Sequence, residues 1–295
     1  MKNYFELEIK NLSKKIKKKY ILENISFNCN SGQIIGIVGP NGAGKSSLFK
    51  IMSFLWDIDD GEILVDNNNI LDILNKNFFI SSSIEHVSLY ENLSGIDNIN
   101  IICKLYEVKD KVYINYLIDV FKLRESINKR VSSYSLGMKQ KLGLILTLLP
   151  NSNLLILDEP TNSLDIESVQ VLHNIIKDLK AKNKLIIISS HIMEEMENIC
   201  DSIYILNNGK ICYKHNKSDN DFIYMTFNKK ISKNIFDNLF DIELLEIISE
   251  KQIRIPSYLS NCIMSNLENL NLSIEKFSKN IDLKYEFNKI TGESK

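Results

Sequence analysis

The stretch Gly39-Pro40-Asn41-Gly42-Ala43-Gly44-Lys45-Ser46-Ser47 constrains this chain more than any other, because it fits G-x-x-x-x-G-K-[ST] in the setting that pattern requires. Before it runs Ile34-Ile35-Gly36-Ile37-Val38, a β-branched run suited to a buried parallel strand. After it, Ser47 to Met52 has the apolar spacing of a helix. Strand, glycine loop and helix together predict a phosphate cradle. The glycines let backbone N–H groups turn onto phosphate oxygens, and the helix N-terminus adds partial positive charge. Lys45 can reach the β and γ phosphates of a nucleotide, and the Ser46 hydroxyl can bind Mg²⁺.

A second constellation follows from a short apolar strand, Leu154 to Leu157, that ends in Asp158-Glu159-Pro160. A buried parallel strand delivers the residues at its carboxyl end to the edge of the sheet where the phosphate loop also lies. Two carboxylates there divide the work. Asp158 can hold Mg²⁺, directly or through water, while Glu159 can polarise a water for attack on the γ-phosphate.

The chain has 295 residues, enough to bury a sizeable core in one or two domains. A formal net charge of −1 gives no global attraction to nucleic acid or anionic lipid. The basic run Lys14, Lys15, Lys17, Lys18 and Lys19 reads as a solvated edge loop. Five cysteines, Cys29, Cys103, Cys200, Cys212 and Cys262, lack metal or redox spacing, so reduced thiols in a cytosolic protein are expected. No signal peptide is recognised, and no apolar run approaches the roughly 18–20 residues that span a bilayer. A membrane path, if the function needs one, is expected from another chain.

Along the chain, residues from about Phe5 to Asn30 predict short strands leading to a turn at Ser31-Gly32, and Gly61 to Val65 predicts another strand. From about 88 to 150 the pattern is helical, divided at Ser94-Gly95 and Ser132-Ser133. Leu185 to Ser189 is a further apolar strand ending near His191, and Ile203 to Leu206 before Asn207-Asn208-Gly209 predicts a last core strand and hairpin turn. After about Ser218 alternating segments near Phe222–Phe227 and Gln252–Ile255, with helical pieces between, predict a small α/β appendage without a catalytic motif. Domains are expected at 1–217 and 218–295. There is one phosphate loop and no internal repeat.

The phosphate loop, Tyr134-Ser135-Leu136-Gly137-Met138-Lys139-Gln140, the run Asp158 to Asp165, and Ser189-Ser190-His191, in that order, resemble the ATP-binding subunits of ATP-binding cassette (ABC) transporters. The resemblance covers about residues 5–215. It implies an α/β fold with a P-loop NTPase (RecA-like) core, an N-terminal antiparallel β part and a helical insertion. It also implies an ATPase that uses ATP and Mg²⁺, and a head-to-tail dimer with itself or a paralogue that sandwiches each nucleotide. Ser135 and Gly137 would then face the γ-phosphate of the opposite site, and Asp165 would lie in the loop joining the two sites. His191 would contact the γ-phosphate and hold Glu159 and water in place. His86, His173 and His215 read as surface residues.

Three positions depart from the family pattern. The signature keeps the serine and second glycine but reads Tyr-Ser-Leu-Gly-Met. Where a Mg²⁺-contacting glutamine is usual stands Glu85, whose carboxylate can still approach the cation. Both departures look like the exporter branch serving bacitracin resistance and lantibiotic immunity or export. At the adenine position Ile16 replaces the usual aromatic, leaving either Tyr20 or an aliphatic surface to meet the base. The resemblance implies polytopic permease subunits as partners, docked near Glu85 to Tyr106, with the chain peripheral on the cytoplasmic face of the membrane and no nucleic acid bound. An exporter of another small substrate or ion, and a soluble ABC ATPase acting on ribosomes or DNA, are the competing readings. The double cassette and the long coiled coil usual in that second class are both missing from the sequence.

Overall fold

A computed structural model describes residues 4–74, 78–85, 88–216, 222–236, 245–278, 287–288 and 290–292. The chain divides into two compact units, Met1–Lys214 and His215–Lys295. The expected boundary at 217/218 lies outside the described residues, as does His86.

The first unit is built on β3 (Ile34–Val38), every residue of which is buried. It pairs in parallel with β8 (Leu185–Ser189) and β9 (Ser202–Asn207). Outward from β8 lie β7 (Leu154–Leu157) and β6 (Ile80–Ser83), also parallel, and β10 (Lys210–Asn216) flanks β9, giving the order β10-β9-β3-β8-β7-β6. Strands buried on both faces are apolar throughout, which is why short runs such as Leu-Leu-Ile-Leu suffice. Parallel pairing aligns their carboxyl ends, so the loops after β3, β7 and β8 emerge at one edge.

A second sheet is antiparallel, in the order β2-β1-β4-β5. The expected short strands of residues 5–30 are instead two long ones, β1 (Glu6–Ile16) and β2 (Lys19–Asn30), joined as one hairpin. Three register shifts let the hairpin twist and bend while it stays paired. The basic run is thus the tip of this hairpin rather than a loop, since Lys15 pairs with Tyr20 and Ile16 with Lys19. Alternation places Leu7, Ile9, Leu12, Leu22 and Ile25 in one core with Ile35 and Ile37 of β3 and Leu48 and Phe49 of α1 (Lys45–Met52). β4 (Asp60–Val65) and the two-residue β5 (Asn68–Asn69) complete this sheet, followed by one turn of helix, α2 (Ile70–Ile73).

The helical stretch comprises α3 (Gly95–Leu105), α4 (Lys111–Val120) and α5 (Leu136–Leu148). Ser132-Ser133 falls between α4 and α5 as expected, whereas Ser94-Gly95 opens α3, residues 88–93 before it being non-helical, and a further break at 106–110 separates α3 from α4. Ser94 caps α3 in a reciprocal box with Asp97. α5 begins exposed at Leu136 and is buried from Leu142 to Leu148, so it carries a solvent-facing start into the core. α6 (Ile166–Ala181) and α7 (Met193–Ile199) follow β7 and β8. No helix among the described residues is long and apolar enough to cross a membrane.

The second unit has its own four-stranded antiparallel sheet, from β11 (Phe222–Phe227), β12 (Glu246–Ser249), β13 (Gln252–Pro256) and β14 (Ile274–Ser278), in the order β12-β13-β11-β14. A short α8 (Ser260–Ser265) accompanies it. Ile223, Met225, Phe227, Phe236, Ile253 and Ile255 form its separate core.

Candidate nucleotide site

α1 starts directly after the glycine loop because Gly44, at φ +110°, takes a backbone turn that a side chain would strain. The first-turn N–H groups of a helix have no intrahelical acceptor, and here they sit at the mouth of the loop. Lys45 is buried, 6% exposed, with Nζ donating to the Gly39 carbonyl at 2.7 Å and the Pro40 carbonyl at 3.4 Å. A buried cation wrapped in a loop of this kind is built to meet an anion. The cleft over the loop has a volume of about 280 Å³ and is lined by residues 41–47, Lys19 to Ile21, Glu159, and the Asn208-Gly209 turn between β9 and β10.

β7 brings Asp158 and Glu159 to the same edge. Asp158 is 7% exposed and accepts a hydrogen bond from the Ser189 hydroxyl at 2.6 Å. The Ser189 hydroxyl oxygen in turn accepts from the Glu159 N–H at 2.9 Å. The Glu159 backbone turns at φ +46°, which swings its side chain out of the strand direction. One carboxylate oxygen lies 3.5 Å from Lys45 Nζ; the other is 3.4 Å from His191 Nδ1 and accepts from Asn162 Nδ2 at 2.7 Å. Partial burial opposes its charge, but the Asn162 hydrogen bond and the nearby Lys45 and His191 prevail and hold the carboxyl below its ordinary range. Glu159 is therefore an anion at neutral pH.

No group of three His, Cys, Asp or Glu side chains poised for a metal exists among the described residues. Mg²⁺ keeps several waters and shares one or two protein oxygens with phosphate. Ser46 on the loop and Asp158 at the strand end fit that limited role.

The remaining expected residues are distributed unequally. Tyr20 lines the cleft, with Lys15 Nζ 4.3 Å from its ring centroid, whereas Ile16 is 47% exposed and outside the lining. Ser135 caps α5 by accepting from the Met138 N–H, and Gly137 follows in its first turn. Neither lines the cleft. Asp165 caps α6 and pairs with Lys141 of α5 at 2.5 Å, so it too is held apart from the cleft. Glu85 is not in the lining either; it pairs with Lys50 of α1 at 2.6 Å.

Sequence reasoning missed Ser189 and Asn162. Asn162 had a local signal, an amide three residues after Glu159 in a Pro-containing turn. Ser189 had none, because its partners lie about thirty positions away. Two histidines are also corrected. His215 is buried at 7% exposure, and His173 is half-buried with Nε2 2.8 Å from the Glu195 carboxylate. Cys29, Cys103, Cys200 and Cys212 form no disulfide among the described residues.

The family model for ABC transporters matches residues 22–162. The lantibiotic transport ATP-binding protein SrtF of Streptococcus pyogenes is 37% identical over 227 residues, covering 76% of this chain and 97% of that protein. The bacitracin transport ATP-binding protein BcrA of Bacillus licheniformis is 32% identical over 261 residues, covering 84% of each. Among solved structures, an ATP-binding subunit of an ABC transporter superposes with a TM-score of 0.67 at 29% identity, over 72% of this chain and 91% of that one. A dimeric ATP-binding cassette in a post-hydrolysis state, bound to ADP and Pi, superposes at 0.64 and 20% identity over 72% of this chain and 98% of that one, a likeness of fold. With the order of motifs and the convergence of Lys45, Glu159 and His191, these relationships mean that the chain belongs to the ATP-binding proteins of ABC transporters, a family of ATPases.

Proposed function

We propose that this chain is the ATP-hydrolysing subunit of an ABC exporter that works with separate polytopic membrane subunits against an antimicrobial peptide of the lantibiotic or bacitracin type. The observation that carries the ATPase chemistry is the meeting of Lys45, His191 and Asn162 on the Glu159 carboxylate. The cargo rests on the kinship with SrtF and BcrA.

Mg²⁺ and the triphosphate, once bound, supply charge neutralisation and an electrophilic phosphorus. The loop Gly39 to Ser47 binds phosphate oxygens through backbone N–H groups, with Lys45 on the β and γ phosphates. Ser46 and Asp158 would hold the cation. Glu159, kept ionised, accepts a proton from the attacking water, and His191 steadies it. Tyr20 stacks on adenine at the rim of the cleft. Ser135 and Gly137, at the exposed start of α5, reach the γ-phosphate bound by a second copy or a paralogue, and Asp165 belongs to the loop between the two sites. Glu85 can approach the cation once it exchanges its Lys50 partner.

The membrane subunits would dock near residues 85–106, where Tyr90, Leu105 and Tyr106 are exposed at 60%, 68% and 45%. The chain would sit on the cytoplasmic face of the membrane through them. Purification from detergent-solubilised membranes, identification of the polytopic protein that comes with it, and killing assays with and without the pair test this reading. Protection against a lantibiotic or bacitracin is the expected result. Cosedimentation with ribosomes and no membrane partner would overturn it.

A further inference from the structure

A buried carboxylate outside the nucleotide cleft joins the two segments that carry Glu159 and His191. Glu195 lies in the first turn of α7, and its side chain is 8% exposed. One oxygen is 2.8 Å from His173 Nε2 on α6. The other accepts from the Ser190 hydroxyl at 2.9 Å and the Thr161 hydroxyl at 3.3 Å. Burial opposes its charge, and the His173 and Ser190 hydrogen bonds outweigh that opposition, holding the carboxyl below its ordinary range.

Each of those contacts is made to a segment that matters. Ser190 precedes His191, and its oxygen also accepts the Ile192 N–H at 3.0 Å, so it bridges the backbone on either side of that histidine. Thr161 follows Glu159 by two positions, inside the turn that Asn162 closes by donating to the Glu159 carbonyl at 3.2 Å. His173 anchors the whole to the long helix α6. The result is a single carboxylate with three side-chain partners, one on α6 and one on each of the segments that carry Glu159 and His191, which themselves approach to 3.4 Å.

We infer that Glu195 is a positioning residue for ATP hydrolysis: it fastens the loop bearing His191 to the turn bearing Glu159 and touches neither nucleotide nor water itself. This rests on the roles given above to Glu159 and His191. Without the carboxylate, both segments keep their sequence, their own turns and the Ser189 bridge at the strand ends, but lose this tie farther along each segment. Misplacement of a catalytic group by an ångström can lower the rate on the order of a hundredfold without a comparable change in substrate binding.

The test is steady-state ATPase of the purified full chain, with ATP affinity measured by equilibrium titration. Glu195→Ala should lower kcat by about ten- to a hundredfold and leave the ATP dissociation constant within about threefold. Glu195→Gln keeps an acceptor for His173 and a group that the two hydroxyls can meet, so it should recover most of kcat. Thr161→Val removes only the link to the Glu159 turn at constant shape, and should lower kcat even if Glu195→Ala proves unfolded. In a His191→Ala background, Glu195→Ala should add little, because the group it positions is gone. Full kcat in Glu195→Ala, or in Thr161→Val should Glu195→Ala not fold, overturns the inference, as does a loss that adds fully to that of His191→Ala. Glu159→Gln measured alongside separates the two claims: if it retains turnover, the reading of the site has failed first.

Discussion

The Ser189 hydroxyl ties together the two acidic residues of the site, donating to the Asp158 carboxylate at 2.6 Å while accepting the Glu159 N–H at 2.9 Å. It is fully buried, at the end of β8. One oxygen thus fixes both the side chain proposed to hold the cation and the backbone turn that aims the proposed base. Ser189→Ala leaves a buried carboxylate short of a donor and a part-buried N–H without its acceptor, which costs about 1–3 kcal/mol. Urea denaturation should show that loss, and ATP turnover should fall by more than ATP affinity. Unchanged stability and turnover would mean the bridge does nothing.

The glycine that opens the phosphate loop differs in kind from the next one. A Cβ on Gly39 would lie 2.2 Å from the Leu206 carbonyl oxygen, a backbone atom of β9 that cannot swing aside. On Gly42, at φ +80°, it would meet nothing within 4 Å. Gly39→Ala should therefore destabilise the fold by about 3 kcal/mol through overpacking, whereas Gly42→Ala should cost only the left-handed backbone penalty of about 1–2 kcal/mol. Chemical denaturation of the two variants reads the difference, and equal losses would contradict it.

Asp165 gives the fold a pH dependence with a definite sign. The Lys141 ammonium and then the Ser168 N–H hold its carboxyl well below the usual range. A depressed folded-state pKa contributes stability that is fully present above the unfolded value, near 3.9, and is lost as pH falls through the folded one. The side chain is 54% exposed, so water screens the ion pair and most of the effect is the helix cap. Asp165→Ala should lower stability by about 1 kcal/mol at pH 7. Asp165→Asn retains the cap, and the stability difference between it and wild type should be constant above about pH 5 and shrink below about pH 4. Melting temperatures across that range check both statements.

Much of this was legible in the sequence because the chemistry sits at the ends of short, wholly apolar strands. Ile34 to Val38, Leu154 to Leu157 and Leu185 to Ile188 can only be buried; the first gives way at once to the glycine loop, and the other two to polar residues that burial on the sheet faces would disfavour. What was not legible depends on partners far along the chain. Ser189 reads as the last residue of a strand until Asp158 is brought beside it. His173 and His215 looked like surface residues because burial is a tertiary property. The lysines at 14–19 mimic a loop, although the alternating residues behind them continue the hairpin to its tip. Glu85 illustrates the same limit, since Lys50, its partner, is 35 positions away.

The central claim is that the Glu159 carboxylate, held between Lys45, His191 and Asn162, is the base for ATP hydrolysis. Glu159→Gln keeps the shape and removes the charge. ATP titration combined with turnover and sedimentation of the purified variant measures the consequence. The account predicts an ATP dissociation constant within about threefold of wild type, turnover reduced by at least about a hundredfold, and a dimer that accumulates when ATP is added. Turnover at the wild-type rate would contradict it.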